Sequence, residues 1–355
     1  MFNESKITIV LLLVFSVLLF LNLGNSKSIR EYSNDNIEIK NNSINLSSMT
    51  LRQKIGQMVI ATSIRENKEE LQEMGIGGIY LGAEESPSAF KEKILFFQEG
   101  SKIPFHVSAD MEGCGNPFEN FKSFPALKDI ANKTHAFDVG REEGELMKEI
   151  GFTINFSPVV DLEDSIWNCR SFQGNSSEIS VKAGAYIDGL QSEGILATSK
   201  HYPGKTLCIR DPHLEVVSAN ISREDLLPFE ESIKHEVGAI MVSHVITEGL
   251  VDSRGKPADA SPEVIESLEG HNGLLVSDEI RMLGLKNFYE DDDAMFVELV
   301  NSGNDIILYF AVEPKELEHF IDVIEKAVGE SVISEGRIDR SVKKILVSKG
   351  FVVET

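Results

Sequence analysis

The chain has 355 residues, 42% of them hydrophobic and 26% charged, which is enough for one large globular domain or two small ones. Its formal net charge of −23 argues against nucleic acid as a partner, because phosphate binding needs a basic face. No two of the three cysteines have C-x-x-C spacing, so we expect neither a metal site nor a redox cofactor.

The N-terminal segment is unlike the rest of the chain. Residues 7–23 are an almost uninterrupted apolar run, near the lower length limit for a membrane-spanning helix. Residues 26–48 are polar and rich in Asn and Ser, like a tether. We predict a signal peptide or membrane anchor over 1–25, a polar linker over 26–48 and a folded domain over 49–355. That domain is expected to be exported and monomeric, and to touch the membrane only through its N-terminal segment.

From Thr50 onward, short apolar runs alternate with amphipathic stretches, and several stretches end in Gly, a common helix terminator. The predicted strands are Gln57–Ala61, Gly78–Leu81, Phe105–Ala109, Thr153–Phe156, Leu196–Ser199, Ala239–Ser243, Leu274–Ser277 and Asp305–Leu308. The predicted helices are Glu66–Met74, Ser88–Glu99, His135–Ile150, Glu178–Glu193, Arg223–Glu236, Ser261–Glu269, Asp293–Ser302, Pro314–Val328 and Asp339–Ser348. Eight β-then-α units predict a single (β/α)8 barrel of the TIM type.

Polar side chains follow most of these strands, where a barrel of this type places its catalytic groups. They are Asp110, Asp161, Lys200, His201, His244 and Asp278. We interpret this convergence as a site on one rim, although a buried structural network could account for some members. The alternative for Asp278 is a helix N-cap, and the alternative for His244 is a satisfied rim histidine.

The segment after the fifth strand carries an acid and an imidazole, Asp211 and His213. Side chains two residues apart in extended backbone lie on the same side, so the carboxylate can orient the imidazole. Such a pair can transfer protons near neutral pH. A carboxylate at a rigid strand end, such as Asp278, suits the nucleophile of a retaining glycosidase.

Several motifs resemble those of glycoside hydrolase family 3, and within it the single-domain bacterial β-N-acetylhexosaminidases. The resemblance covers residues 49–350 and is most specific at residues 200–213, KHYPGKTLCIRDPH, which has the length of the family block K-H-F-P-G-H-G-x-x-x-x-D-S-H. Weaker matches are the entry segment at 49–58, DMEG at 110–113, NFSPVVD at 155–161, RSF at 170–172 and SDEIRM at 277–282.

The resemblance implies a retaining exo-β-N-acetylglucosaminidase that acts on a carbohydrate, either peptidoglycan fragments or chitin oligomers. Asp278 would be the nucleophile, and His213 would be the acid/base on a mobile loop, oriented by Asp211. The residues implied to hold the sugar hydroxyls are Asp110, Arg170, Lys200 and His201. The open alternatives are a β-glucosidase or phosphorylase of the same family, and a catalytically weak glycan-binding surface protein.

One segment departs from the family pattern. After Gly113 the family has Gly and then Arg-x-x-Arg, whereas this chain has CGNPF, which puts the sugar preference in doubt. The three cysteines, Cys114, Cys169 and Cys208, fall in the loops after strands three, four and five. We hypothesise one disulfide, with Cys169–Cys208 as the expected pair, against the alternative of three unrelated thiols.

Overall fold

The computed structural model of the chain describes residues 36–208, 210–268 and 270–354. The predicted signal peptide or anchor and the first part of the predicted linker lie outside these residues. Among the helices of the described ranges, none has both the length and the hydropathy that crossing a bilayer requires.

Eight parallel strands form a barrel whose neighbours follow the order of the chain. Every one of the eight predicted strands is present, and the expected (β/α)8 fold is confirmed. The last strand pairs with the first, and a bridge between Val276 and Ile306 closes the remaining seam. The strands are β3 (Val59–Thr62), β4 (Gly78–Tyr80), β5 (His106–Ala109), β6 (Ile154–Asn155), β7 (Leu196–Tyr202), β9 (Ala239–Val242), β11 (Leu274–Ser277) and β12 (Ile307–Tyr309).

Helices follow the strands around the outside of the barrel. They are α1 (Leu51–Gln57), α2 (Lys68–Glu73), α3 (Pro87–Gln98), α4 (Lys133–Ile150), α5 (Ser176–Ser192), α6 (Arg223–Lys234), α7 (Pro262–Glu266), α8 (Leu283–Lys286), α9 (Asp292–Ser302), α10 (Pro314–Gly329) and α11 (Glu335–Ser348). Helix α1 was not predicted. It begins at a capping box between Thr50 and Gln53, so the predicted first strand began too early, at Gln57.

Two small sheets lie outside the barrel. One pairs β8 (Ser218–Ile221) with β10 (Ile246–Gly249) in parallel, and we did not predict it. The other joins β1 (Ile39–Lys40), β2 (Ser43–Asn45) and β13 (Val352–Glu354). This second sheet buries Ile44, so residues 37–48 belong to the folded unit, and the predicted end of the linker at residue 48 is wrong.

Helices α4 and α5 pack closely because glycines replace side chains where they touch. A Cβ atom on Gly140 would lie 2.3 Å from the carbonyl oxygen of Tyr186, and one on Gly189 would lie 2.2 Å from that of Phe137. Both clashes are with backbone, so relieving them requires the helices to separate. The helix that follows β5 is thereby set against the helix that follows β6.

We expect Gly140→Ala to lower the free energy of unfolding by about 1–3 kcal/mol, the usual cost of overpacking. Gly336→Ala, in helix α11 where a Cβ meets nothing within 4 Å, is the matched control and should not destabilise. Urea denaturation of both variants tests this. Equal stability of the two variants would contradict the close-packing argument.

Candidate active site

The carboxyl ends of the barrel strands surround a cavity of about 110 Å³. Six of the seven predicted site residues line it, and the seventh, Asp211, lies directly behind His213. Other lining residues include Thr206, Pro212, Met241, Glu279, Met282 and Phe310. The cavity is smaller than the roughly 300–1,000 Å³ of typical ligand pockets, so a sugar ring needs more space than this conformation provides.

Asp278 lies at the end of β11 and is buried. Its backbone N–H donates to Val242 O, and its Oδ1 accepts from the backbone N–H of Glu279, at 3.0 and 2.8 Å. Burial alone would raise the pKa of this carboxyl, but His201 and His244 lower it below its usual value. The helix N-cap alternative is wrong, because α8 begins only at Leu283 and is capped by Met282.

His213 also lines the cavity, on the loop after β7. Its Nδ1 is 2.6 Å from Asp211 Oδ1, which also accepts the backbone N–H of His213 at 2.9 Å. The carbonyl oxygens of Pro212 and His213 accept backbone N–H groups of Gly284 and Leu283. With Nδ1 occupied by the carboxylate, Nε2 is the ring nitrogen free to exchange a proton with a ligand.

A largely buried cluster of four charges connects the loops after β5 and β6 to strand β7. Lys200 Nζ lies 2.5 Å from Asp110 Oδ1 and 2.6 Å from Glu112 Oε1. Arg170 donates from Nε to Glu112 Oε2 at 2.5 Å and from Nη2 to Oε1 at 2.9 Å. Asp110 also accepts from the Tyr80 hydroxyl at 2.8 Å. The cluster presents donors and acceptors together, which a polyhydroxylated ring requires.

These contacts keep Glu112 and Lys200 ionised despite their burial. Burial alone would raise the pKa of Glu112, but the cations of Arg170 and Lys200 hold it well below its usual range. Burial alone would lower the pKa of Lys200, but Asp110 and Glu112 outweigh it and raise the pKa. Removing either partner would leave an uncompensated buried charge, which is costly.

Asp161 and His201 form a second polar pair. Nδ1 of His201 lies 2.9 Å from Asp161 Oδ2, and Asp161 Oδ1 accepts the backbone N–H of Thr206 at 2.9 Å. Asp161 therefore orients a pocket-lining imidazole and also fixes the start of the loop that carries His213. Asp161 was one of the six predicted rim groups, but it does not itself line the cavity. It supports the site through His201 and Thr206.

His244 is buried and does not line the cavity. Its Nδ1 is 2.9 Å from Asp259 Oδ2, and its Nε2 donates to Glu279 O at 2.9 Å. Burial alone would lower the pKa of His244, but Asp259 and Asp278 outweigh it and raise the pKa to about 9. The protonated ring holds the backbone of the residue that follows Asp278.

The disulfide joins Cys114 to Cys169, with Cα atoms 5.9 Å apart, and Cys208 remains a free thiol. The predicted Cys169–Cys208 pair is therefore wrong. Asp164 accepts the backbone N–H groups of Cys169 and Arg170 at 2.9 and 2.7 Å, and Arg170 reaches Glu112. The Arg170–Glu112 contact joins the β6 loop to the β5 loop, the same two loops that the disulfide links.

Sequence reasoning missed Glu112 and Glu279. Glu112 bridges Lys200 and Arg170, and the available signal was its place two residues after Asp110 in the predicted rim loop. Glu279 lines the cavity, and its Oε1 accepts the backbone N–H of Phe310 at 3.0 Å. Only its neighbour Asp278 was predicted as a site residue. The sequence spacing does not indicate that the Glu279 carboxylate binds the backbone at the end of the next strand.

A family model described as the glycosyl hydrolase family 3 N-terminal domain matches residues 50–347. The chain belongs to glycoside hydrolase family 3. It is similar to the β-hexosaminidase LpqI of Mycobacterium tuberculosis, with 27% identity over 301 residues that cover 78% of this chain and 76% of the relative. It is also similar to a β-N-acetylglucosaminidase/β-glucosidase of Cellulomonas fimi, with 24% identity over 86% of this chain and 58% of that protein.

Solved structures support the same placement. A family 3 β-N-acetylglucosaminidase from Paenibacillus superposes with a TM-score of 0.78 and 28% identity over 85% of this chain and 62% of that one. The protein is therefore a glycoside hydrolase, and the family implied by the motifs at 200–213 and 277–282 is confirmed.

Counting thiols under denaturing conditions tests the disulfide. We expect one reactive thiol without reductant and three with it, and none and two in Cys208→Ser. In the native protein burial raises the pKa of Cys208 to about 11, so its alkylation near neutral pH should be slow. Three thiols without reductant, or any thiol in unreduced Cys208→Ser, would contradict the pairing.

The raised pKa of His244 predicts a pH-dependent contribution to stability. A group whose pKa is higher in the folded state stabilises fully below its unfolded pKa of about 6.5 and no longer does so above about 9. We expect wild type to be more stable than His244→Gln at the low end of this window. The difference between their free energies of unfolding should shrink by roughly 3 kcal/mol as the pH rises through it. Chemical denaturation of both proteins between pH 6 and 10 measures it. A difference that does not change with pH would contradict a protonated His244.

Proposed function

We propose that the protein is a retaining exo-β-N-acetylglucosaminidase that removes terminal β-linked N-acetylhexosamine from peptidoglycan fragments or chitin oligomers. The observation that carries the proposal is the placement of two groups around one cavity. Asp278 lies buried on a strand end, and His213, paired to Asp211, lies on a loop at the same cavity. A retaining glycosidase needs such a nucleophile together with a separate proton carrier.

In the first step a carboxylate oxygen of Asp278 attacks the anomeric carbon while the bond to the glycosidic oxygen breaks. Protonated His213 gives its Nε2 proton to that oxygen, so the leaving group departs as a neutral alcohol. The lowered pKa of Asp278 keeps the carboxylate ionised and ready to attack. The product of this step is a glycosyl-aspartate ester.

In the second step neutral His213 takes a proton from water, and the water oxygen attacks the anomeric carbon. The ester bond breaks, the Asp278 carboxylate is restored, and His213 is protonated again. Asp211 holds the ring in place through its 2.6 Å contact with Nδ1. The imidazole thus acts as acid and then as base, with no net change in the enzyme.

The charge cluster supplies the sugar-binding side of the pocket. Asp110 can accept from ring hydroxyls, Arg170 and Lys200 can donate to them, and His201 can hydrogen-bond to them through Nε2. Because Glu112 already neutralises part of the positive charge, the site suits a neutral sugar better than an anionic one. Admission of the ring into the small cavity requires the loop that carries His213 to move outward, as in other enzymes with closing loops.

Export and a membrane tether belong to the same proposal. The apolar run at residues 7–23 supports an export signal or anchor. The Cys114–Cys169 disulfide supports it as well, because disulfides persist mainly in oxidising compartments.

One observation favours a β-glucosidase as the second candidate. Cys114 stands where the family pattern continues toward two arginines, one of which normally helps to bind the sugar. The disulfide occupies that segment, so the ring preference is open to change. A phosphorylase would follow the same first step and use phosphate in place of water in the second.

Aryl β-N-acetylglucosaminide and aryl β-glucoside should be compared in wild type and Asp278→Ala, with and without phosphate. We expect faster turnover of the N-acetylglucosaminide, no acceleration by phosphate, and a loss of at least about 10³-fold in Asp278→Ala. Preference for the glucoside would favour the second candidate. No turnover of either substrate in folded wild type would favour a glycan-binding protein.

The proton carrier is tested by changing the leaving group. In His213→Ala we expect kcat/KM to fall by about 10²–10⁴-fold for a poor aryl leaving group, and much less for a dinitrophenyl group that needs no proton. Asp211→Asn should show the same pattern more weakly, because the imidazole remains. Equal losses for both leaving groups would show that His213 is not the acid.

A further inference from the structure

Trp167, the only tryptophan of the chain, lies with much of its side chain in solvent beside the acid/base candidate. It is 49% exposed, and its ring centroid is 6.3 Å from that of His213 with the planes at 81°. An indole gains most from burial, so an indole held half in solvent at a site entrance can bury further apolar surface when a ligand arrives.

The loop that carries Trp167 is fixed on both sides. Asp164 accepts the backbone N–H of Trp167 at 2.7 Å, and those of Cys169 and Arg170 at 2.9 and 2.7 Å. Burial alone would raise the pKa of Asp164, but these N–H groups lower it, so the carboxylate that organises the loop stays ionised. The disulfide of Cys169 and the contact of Arg170 with Glu112 secure the far end of the loop.

The position of Trp167 follows the geometry of the reaction. The acid protonates the glycosidic oxygen, so atoms beyond that oxygen belong to the leaving group and must lie next to the acid on its solvent side. The cavity of about 110 Å³ has no room for a second sugar, and Trp167 does not line it. The residue that contacts the His213 ring from outside the cavity is Trp167.

We propose that Trp167 forms a leaving-group subsite, which binds a neutral pyranose through the apolar C–H face of the ring. The inference rests on the proposed glycosidase function and adds the class of leaving group: a saccharide with an uncharged, equatorially substituted ring. Binding of this unit against the indole would place its linking oxygen next to Nε2 of His213.

Fluorescence measures this subsite directly, because every emitted tryptophan photon comes from Trp167. In inactive Asp278→Asn, we expect an N-acetylglucosamine disaccharide to shift or quench the emission with saturation, and the monosaccharide to change it by less than about a fifth of that. A disaccharide that binds by calorimetry and leaves the emission unchanged would overturn the proposal.

Kinetics separate a subsite from a residue that only positions His213. In Trp167→Ala we expect kcat/KM for the disaccharide to fall by about tenfold. The methyl glycoside also needs the acid but has no leaving-group ring, and it should stay within about twofold of wild type. Trp167→Phe, which keeps an aromatic face, should recover most of the loss. Equal losses on both substrates would overturn the subsite and assign Trp167 to positioning.

The outcomes also separate this inference from the proposed function. If wild type cleaves neither substrate, the glycosidase proposal fails and the subsite fails with it. If wild type cleaves both and Trp167→Ala matches it on the disaccharide, the subsite alone is overturned.

Discussion

The arrangement of the site depends on one buried carboxylate, Glu112. It accepts two hydrogen bonds from Arg170 and lies 2.6 Å from Lys200, so it joins the loops after β5 and β6 to strand β7. Each of these groups would be unstable alone in a buried position, and together they keep one another charged. Asp110 contacts the same lysine, so the groups proposed to grip the sugar take their positions from this cluster.

The Cys114–Cys169 disulfide acts on the same two loops as the Glu112–Arg170 ion pair. A covalent link and a paired charge therefore fix one side of the pocket, next to the loop that carries His213. The loop that carries His213 is attached to α8 through the backbone hydrogen bonds that the structure shows from Gly284 and Leu283, without a covalent link. The proposed nucleophile and the proposed sugar-binding charges thus lie at or next to the barrel strands, and the proposed proton carrier lies on the loop after β7.

Most of the fold could be predicted because apolar runs and amphipathic helices alternate along the chain with few interruptions. Asp110, Lys200 and Asp278 were assigned to the pocket because each directly follows a strand, where the barrel geometry leaves little choice. The disulfide could not be predicted, because all three cysteines follow strands and their spacing does not indicate which two of the loops meet. The role of Glu112 likewise depends on its two cationic partners, Arg170 and Lys200. They lie 58 and 88 positions further along the chain, so the local sequence does not indicate them.

The central claim is that Asp278 forms a covalent bond to the sugar. A 5-fluoro N-acetylglucosaminyl donor with a reactive leaving group should slow the second step and accumulate that intermediate. Mass spectrometry of the digested enzyme should then find one added glycosyl unit, on the peptide that contains Asp278. An adduct on another residue, or none while the donor is turned over with inversion at the anomeric carbon, would contradict the account.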